Sequence, residues 1–153
     1  MKKTFVEKAP EVMMALMEQY GLADFQAAGM VGNIGRECAG FTILHEIGQP
    51  AGRGGYGWCQ WTGPRRVDFL QWCEQNQLPW ESDGANLGFL KHELNGAYRS
   101  TVVHVKQSKT VHEAATAFER YYERAGVVAM EDRWHWADRA MAAYKAKYEG
   151  ANK

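Results

Sequence analysis

Asp24-Phe25-Gln26-Ala27-Ala28-Gly29-Met30-Val31-Gly32-Asn33-Ile34-Gly35-Arg36-Glu37 reads as a helix whose small residues let neighbouring elements come close. Ala27, Ala28, Gly29, Gly32 and Gly35 carry that reading, because helices lacking large side chains pack with short interaxial distances. The segment is therefore expected to be deeply buried, with Asp24 as its N-cap and its end near Glu37.

Working outward, Val12, Met13, Leu16, Met17 and Tyr20 form one apolar face, and Gly21 follows where a C-terminal cap belongs. Downstream, residues 39–63 break the helical rhythm with seven glycines, Pro50 and the β-favouring cluster Phe41-Thr42-Ile43-Leu44. This stretch is expected to form loops and a short hairpin. Pro64 opens a third helix, Ser82 or Asp83 a fourth, and Thr110-Val111-His112-Glu113 is a capping box before another. A last helix places Trp134, Ala137, Met141, Tyr144 and Tyr148 at alternating steps of three and four. The expected fold class is thus mainly α (α+β), helix-dominated with one small β-hairpin. It is expected as a single domain over 1–153, with a frayed tail from Gly150 to Lys153.

At 153 residues, a single domain can bury a real core. Hydrophobic residues at 46% and charged residues at 24% argue against disorder. Lys plus Arg and Asp plus Glu both number 18, evenly distributed, so the basic face that a nucleic-acid partner requires is not expected. No uncharged apolar run approaches a membrane span, and Glu7, Lys8 and Pro10 interrupt the apolar stretch that a signal peptide needs. Three cysteines, Cys38, Cys59 and Cys73, cannot all pair within a monomer and are read as buried or free thiols. Six tryptophans are many for this length, and carbohydrate stacking is a use for one or two of them beyond core packing.

Glu37 is the first candidate for chemistry. At the end of a buried helix, unsatisfied carbonyls disfavour the carboxylate form, and apolar neighbours such as Cys38, Phe41 and Trp58 would add desolvation in the same sense. Both effects suit a general acid. The bland alternative is an ion pair with Arg36 or another arginine. In Tyr56-Gly57-Trp58-Cys59-Gln60-Trp61-Thr62, strand alternation would set Tyr56, Trp58 and Gln60 on one face, offering an amide and flat rings to a sugar. Between Glu37 and Asp68 the only carboxylate is Glu46, and a returning loop would bring it across a cleft from Glu37 to activate water. The histidines lack metal-site spacing, and no cofactor is expected.

Met30-Val31-Gly32-Asn33-Ile34-Gly35-Arg36-Glu37 and Tyr56-Gly57-Trp58-Cys59-Gln60-Trp61-Thr62-Gly63-Pro64-Arg65-Arg66 together resemble the phage tail lysozyme family of peptidoglycan-degrading domains. The likeness continues through Phe89-Leu90-Lys91-His92-Glu93-Leu94, Thr110-Val111-His112-Glu113-Ala114-Ala115 and Phe118-Glu119-Arg120-Tyr121-Tyr122-Glu123-Arg124, covering roughly residues 25–125. It implies a lysozyme-like fold, bacterial peptidoglycan as the partner, and the catalytic glutamate at Glu37. Gln60, Trp61 and Thr62 would line the cleft, while Arg65 and Arg66 would hold the following helix. The chain departs from the family pattern at Cys38, where serine is frequent, and in the loop 40–55, so the resemblance supplies no second acid.

The reading that follows is a muramidase of the phage endolysin kind, a bacteriolytic and antimicrobial activity. It would be made in the host cytoplasm without a signal peptide and act on the cell wall as a monomer. The alternatives are a lytic transglycosylase on the same bond, a Cys59-dependent amidase or peptidase, and a non-catalytic wall-binding module. For the last helix, the alternative to core packing is contact with an outer-membrane surface.

Overall fold

The computed structural model describes residues 2–150; of the tail expected to fray, residues 151–153 lie outside the described residues. Helix α1 (Phe5–Tyr20) starts at a capping box, in which the Thr4 hydroxyl accepts from the Glu7 N–H and the Glu7 carboxylate accepts from the Thr4 N–H. It ends at Gly21, whose φ of 66° is a left-handed cap that favours a residue without Cβ.

Helix α2 (Asp24–Cys38) is the axis of the fold. Its cap differs from expectation: Ala23 is the N-cap, and the Gln26 amide oxygen folds back to accept from the Ala23 N–H. Every residue from Gln26 to Gly35 is buried. Helix α6 (Val111–Phe118) crosses at Gly29, where an added Cβ would sit 2.5 Å from Ala114 Cβ. Helix α7 (Met130–Tyr144) crosses at Gly32, where it would sit 2.5 Å from the Ala137 backbone. The small residues are therefore points of helix contact, and α1 packs against both α2 and α7. At the core of the last helix, Ala137, Ala140 and Ala143 are buried, while Trp136 meets Phe5 edge to face at 4.9 Å.

The other helices are α3 (Gly63–Gln75), α4 (Asp83–Asn95) and the short α5 (Ser100–Lys106). α3 carries Pro64 in its first turn, and α4 is capped by Ser82, whose hydroxyl accepts from the Ala85 N–H. They pair through Phe69, Trp72 and Phe89. Beyond α6 the chain widens into a π-helical turn, Glu119–Glu123, closed by the Arg124 N–H donating to the Glu119 carbonyl at 2.7 Å.

The expected hairpin does not form as strands. Among the described residues it reduces to two isolated antiparallel bridges, His45 with Tyr56 and Tyr56 with Trp61. Ala39, Gly40 and Phe41 all take positive φ, and the Thr42 and Ile43 N–H groups both donate to the Cys38 carbonyl. That curl places Phe41 in the core against Phe5 and Trp58 instead of extending it. No helix among the described residues is long and apolar enough to cross a membrane.

Candidate active site

A cleft of about 280 Å³ opens where the end of α2, the loop before α3, the segment after the π-helical turn and the first turn of α7 meet. Its lining includes Glu37, Glu46, Gln60, Thr62, Glu123 and Arg133. Sequence reasoning brought the first four to this place, and the structure brings them together. A groove of about 630 Å³ lies between α3 and α4 and shares only Arg65 with the cleft.

Glu37 stands at the last turn of α2, its side chain 18% exposed. Its Oε1 accepts a 2.6 Å bond from Arg133 Nη2, an ion pair whose arginine is 1% exposed. The neighbour expected to be apolar is thus a guanidinium, and Cys38, Phe41 and Trp58 are buried in the core instead. Arg36, the arginine named for such a pair from the sequence, turns outward to Asp132 at 3.2 Å instead. Arg133 is itself held in place. Its Nε donates to the Val128 carbonyl at 2.6 Å and its Nη1 to Asn33 Oδ1 at 3.0 Å. Asn33 in turn donates to the Ala115 carbonyl, so α2, α6 and α7 fix the orientation of one carboxylate.

Glu46 is exposed at the cleft mouth. Its N–H donates to the Gly55 carbonyl at 2.9 Å and its Oε1 accepts from the Gly55 N–H at 3.2 Å, which ties the loop 46–55 back on itself. The aromatic segment departs from the strand reading, because residues 57–60 form a turn with Gly57 and Gln60 at positive φ. Tyr56 at 6% and Trp58 at 1% exposure lie in the core and outside the cleft lining, so neither presents a ring face there. Gln60 borders the cleft while its amide N–H₂ donates to the Gly57 carbonyl at 2.8 Å. Thr62 is exposed at the N-cap of α3.

Trp61 lines the cleft floor but is 1% exposed, and its indole N–H is shared between Glu93 Oε1 and the Tyr122 hydroxyl, both at 3.0 Å. Arg65 grips the same Glu93 through two bonds of 3.1 and 2.7 Å and donates to the Tyr122 carbonyl at 2.8 Å. Buried polar groups need all their partners, and this set ties α3, α4 and the π-helical turn into one wall.

Cys59 is 3% exposed and free, like Cys38 and Cys73. Burial pushes its thiol well above the usual range, the opposite of what a nucleophilic thiolate requires.

Two residues of the cleft were missed from sequence. Arg133 is 96 positions from its partner, and nothing periodic announces the pair. Glu123 did carry a signal, since it falls in the stretch 118–124 that bears the family resemblance. Its Oε1 is buried without a hydrogen-bond partner. Desolvation first, and then the charge of Glu37, push its carboxyl well above the usual carboxylate range.

No curated protein matches the chain. The family model of the phage tail lysozymes matches residues 7–144, which takes in helices α2 to α7, all but the first two residues of α1 and every residue of this cleft, and the chain belongs to that family.

Proposed function

We propose that the protein, a lysozyme-like peptidoglycan-degrading enzyme by family, is a glycosidase that cleaves the glycan strand between N-acetylmuramic acid and N-acetylglucosamine, with Glu37 as general acid. The observation that carries this reading is a partly exposed carboxyl fixed at the end of a buried helix, facing a polar cleft that two further carboxyl groups enter. Protonating a glycosidic oxygen needs such a positioned acid, and completing the reaction needs a base for water or for the sugar's own hydroxyl. Glu46, at the mouth and tethered to Gly55, is the carboxylate assigned to water. Hydrolysis is the first reading and transglycosylation the second, since both begin with the same proton.

Glu37→Gln keeps shape but has no proton to give, so turnover of purified wall should fall by roughly 10² to 10⁴-fold with the fold intact. Mass spectrometry of wild-type products reads the reaction class: reducing ends for hydrolysis, anhydro ends for transglycosylation, free peptides for an amidase. Folded Glu37→Gln with near-normal turnover would sink the assignment.

A further inference from the structure

A general acid that rests in an ion pair carries the wrong charge for its task. Glu37 accepts from Arg133 at 2.6 Å, so the proton it must deliver has to be held close by. The same cleft contains one group built to hold it. Glu123 sits at the end of the π-helical turn, a geometry that recurs at functional sites. Its Oε1 is sealed from water and has no hydrogen-bond partner, an arrangement a carboxylate tolerates poorly and a neutral acid far better.

We propose that Glu123 is a positioning residue that holds the proton of the site and supplies it to Glu37, the two carboxyl groups together carrying one proton and one negative charge. This rests on the glycosidase reading above. At rest the proton is on Glu123 and the charge on Glu37. In the reaction the proton passes from Glu123 to Glu37 while the charge moves the other way, towards a position where Arg133 and Arg65 still favour it. Glu37 then gives the proton to the glycosidic oxygen as the bond from that oxygen to the anomeric carbon breaks. Water bonds to the anomeric carbon and gives one proton to Glu46, which passes it to solvent, and the carboxyl pair takes up one proton from solvent in turn. One water is consumed, one proton is cycled, and nothing is oxidised or reduced.

The upward displacement of the Glu123 acidity, with desolvation as its largest cause and Glu37 as the next, agrees with this geometry. The groups that face Glu123 are Glu37 from α2, Arg133 from α7, Arg65 from α3 and the Cys59 thiol from the loop. Arg124 of its own segment and Glu46 across the cleft complete the charged surroundings.

The test compares wild type, E37Q, E123Q and E123D on solubilised glycan strands, with kcat and KM measured against pH. E123Q should lower kcat at neutral pH by about 10²-fold with KM unchanged. Its alkaline limb should move to lower pH, so that acid restores part of the activity, and E123D should recover part of the rate at neutral pH. A merely structural role would lower activity evenly across pH without moving the limb. A second measurement needs no turnover: the infrared carbonyl band of a neutral carboxyl should be present at neutral pH in wild type and E37Q and lost in E123Q. An unshifted pH profile in folded E123Q, or survival of that band, would overturn the proposal while an inactive E37Q leaves the glycosidase reading standing. Normal turnover by E37Q would overturn both.

Discussion

Arg133 shows why one side chain can decide both the fold and the site. A guanidinium that is 1% exposed is costly to bury, and its burial is offset by hydrogen bonds to the Val128 carbonyl, Asn33 and Glu37. Arg133→Met keeps much of the volume but leaves Asn33 and Glu37 without their donor. The expected loss is about 2 to 4 kcal/mol in chemical denaturation, moderated because Glu37 is partly reached by water. Glu123 behaves in the opposite way. Its folded acidity lies above that of the unfolded chain, so the folded state keeps a proton that the unfolded state gives up once the pH exceeds about 4.5. Stability from this group is fully present below that pH and is lost as the pH rises towards the folded value. Glu123→Gln does not titrate, so it should melt higher than wild type at neutral pH, with the difference vanishing near pH 4. Equal melting curves at both pH values would contradict the assigned shift. Neither residue was picked out from the sequence: Glu123 lies inside the stretch that carries the family resemblance, whereas the Arg133 pair depends on tertiary placement that no local pattern encodes.

The central helix illustrates how much an element can reveal before it is seen. Its small residues announced close neighbours, and Gly29 and Gly32 are where α6 and α7 cross it. Gly32→Ala would place a Cβ 2.5 Å from the Ala137 N, Cα and Cβ, atoms with no flexible end to move aside. Helix α7 must then shift, at a cost of about 1 to 3 kcal/mol or more. Because Arg133 lies one turn before Ala137, the same shift should loosen the Glu37 pair and lower turnover beyond what the lost stability explains. Thermal melts and turnover below the melting temperature, measured on one preparation, separate the two effects. The helix caps were also readable, as Gly21, Ser82 and Thr110 show, since each satisfies backbone groups locally. The box expected at Thr110 is only half made, the Glu113 carboxylate accepting from the Lys109 N–H and not from Thr110. The hairpin was misread because the β propensity of Phe41 to Leu44 is overridden by the left-handed curl after α2 and by burial of Phe41. The seven-residue α5 is too short to leave a periodic signal.

The cleft separates two bodies of packing, α1, α2, α6 and α7 on one side and the paired α3 and α4 on the other, joined by the Arg65, Glu93, Trp61 and Tyr122 network. All three thiols are buried in this framework, and each is raised by desolvation: Cys38 to about 12, Cys73 to about 11 and Cys59 well above its usual value. The unfolded chain releases these protons near pH 9 while the folded chain keeps them. Above pH 9 the unfolded state therefore binds fewer protons, and stability must fall as pH rises, by up to about 1.4 kcal/mol per pH unit for each thiol. Urea midpoints should bend downward between pH 9 and 11. Cys59→Ser removes one titrating group while keeping a small hydroxyl in its place, so its stability should fall less steeply with alkaline pH than that of wild type. The same variant should keep at least a tenth of wild-type turnover on purified wall, because a buried neutral thiol has no step to perform in glycoside cleavage. A folded Cys59→Ser protein with no activity and an unchanged alkaline slope would mean that the thiol is ionised in the native state, and would move the chemistry from the carboxyl pair to Cys59.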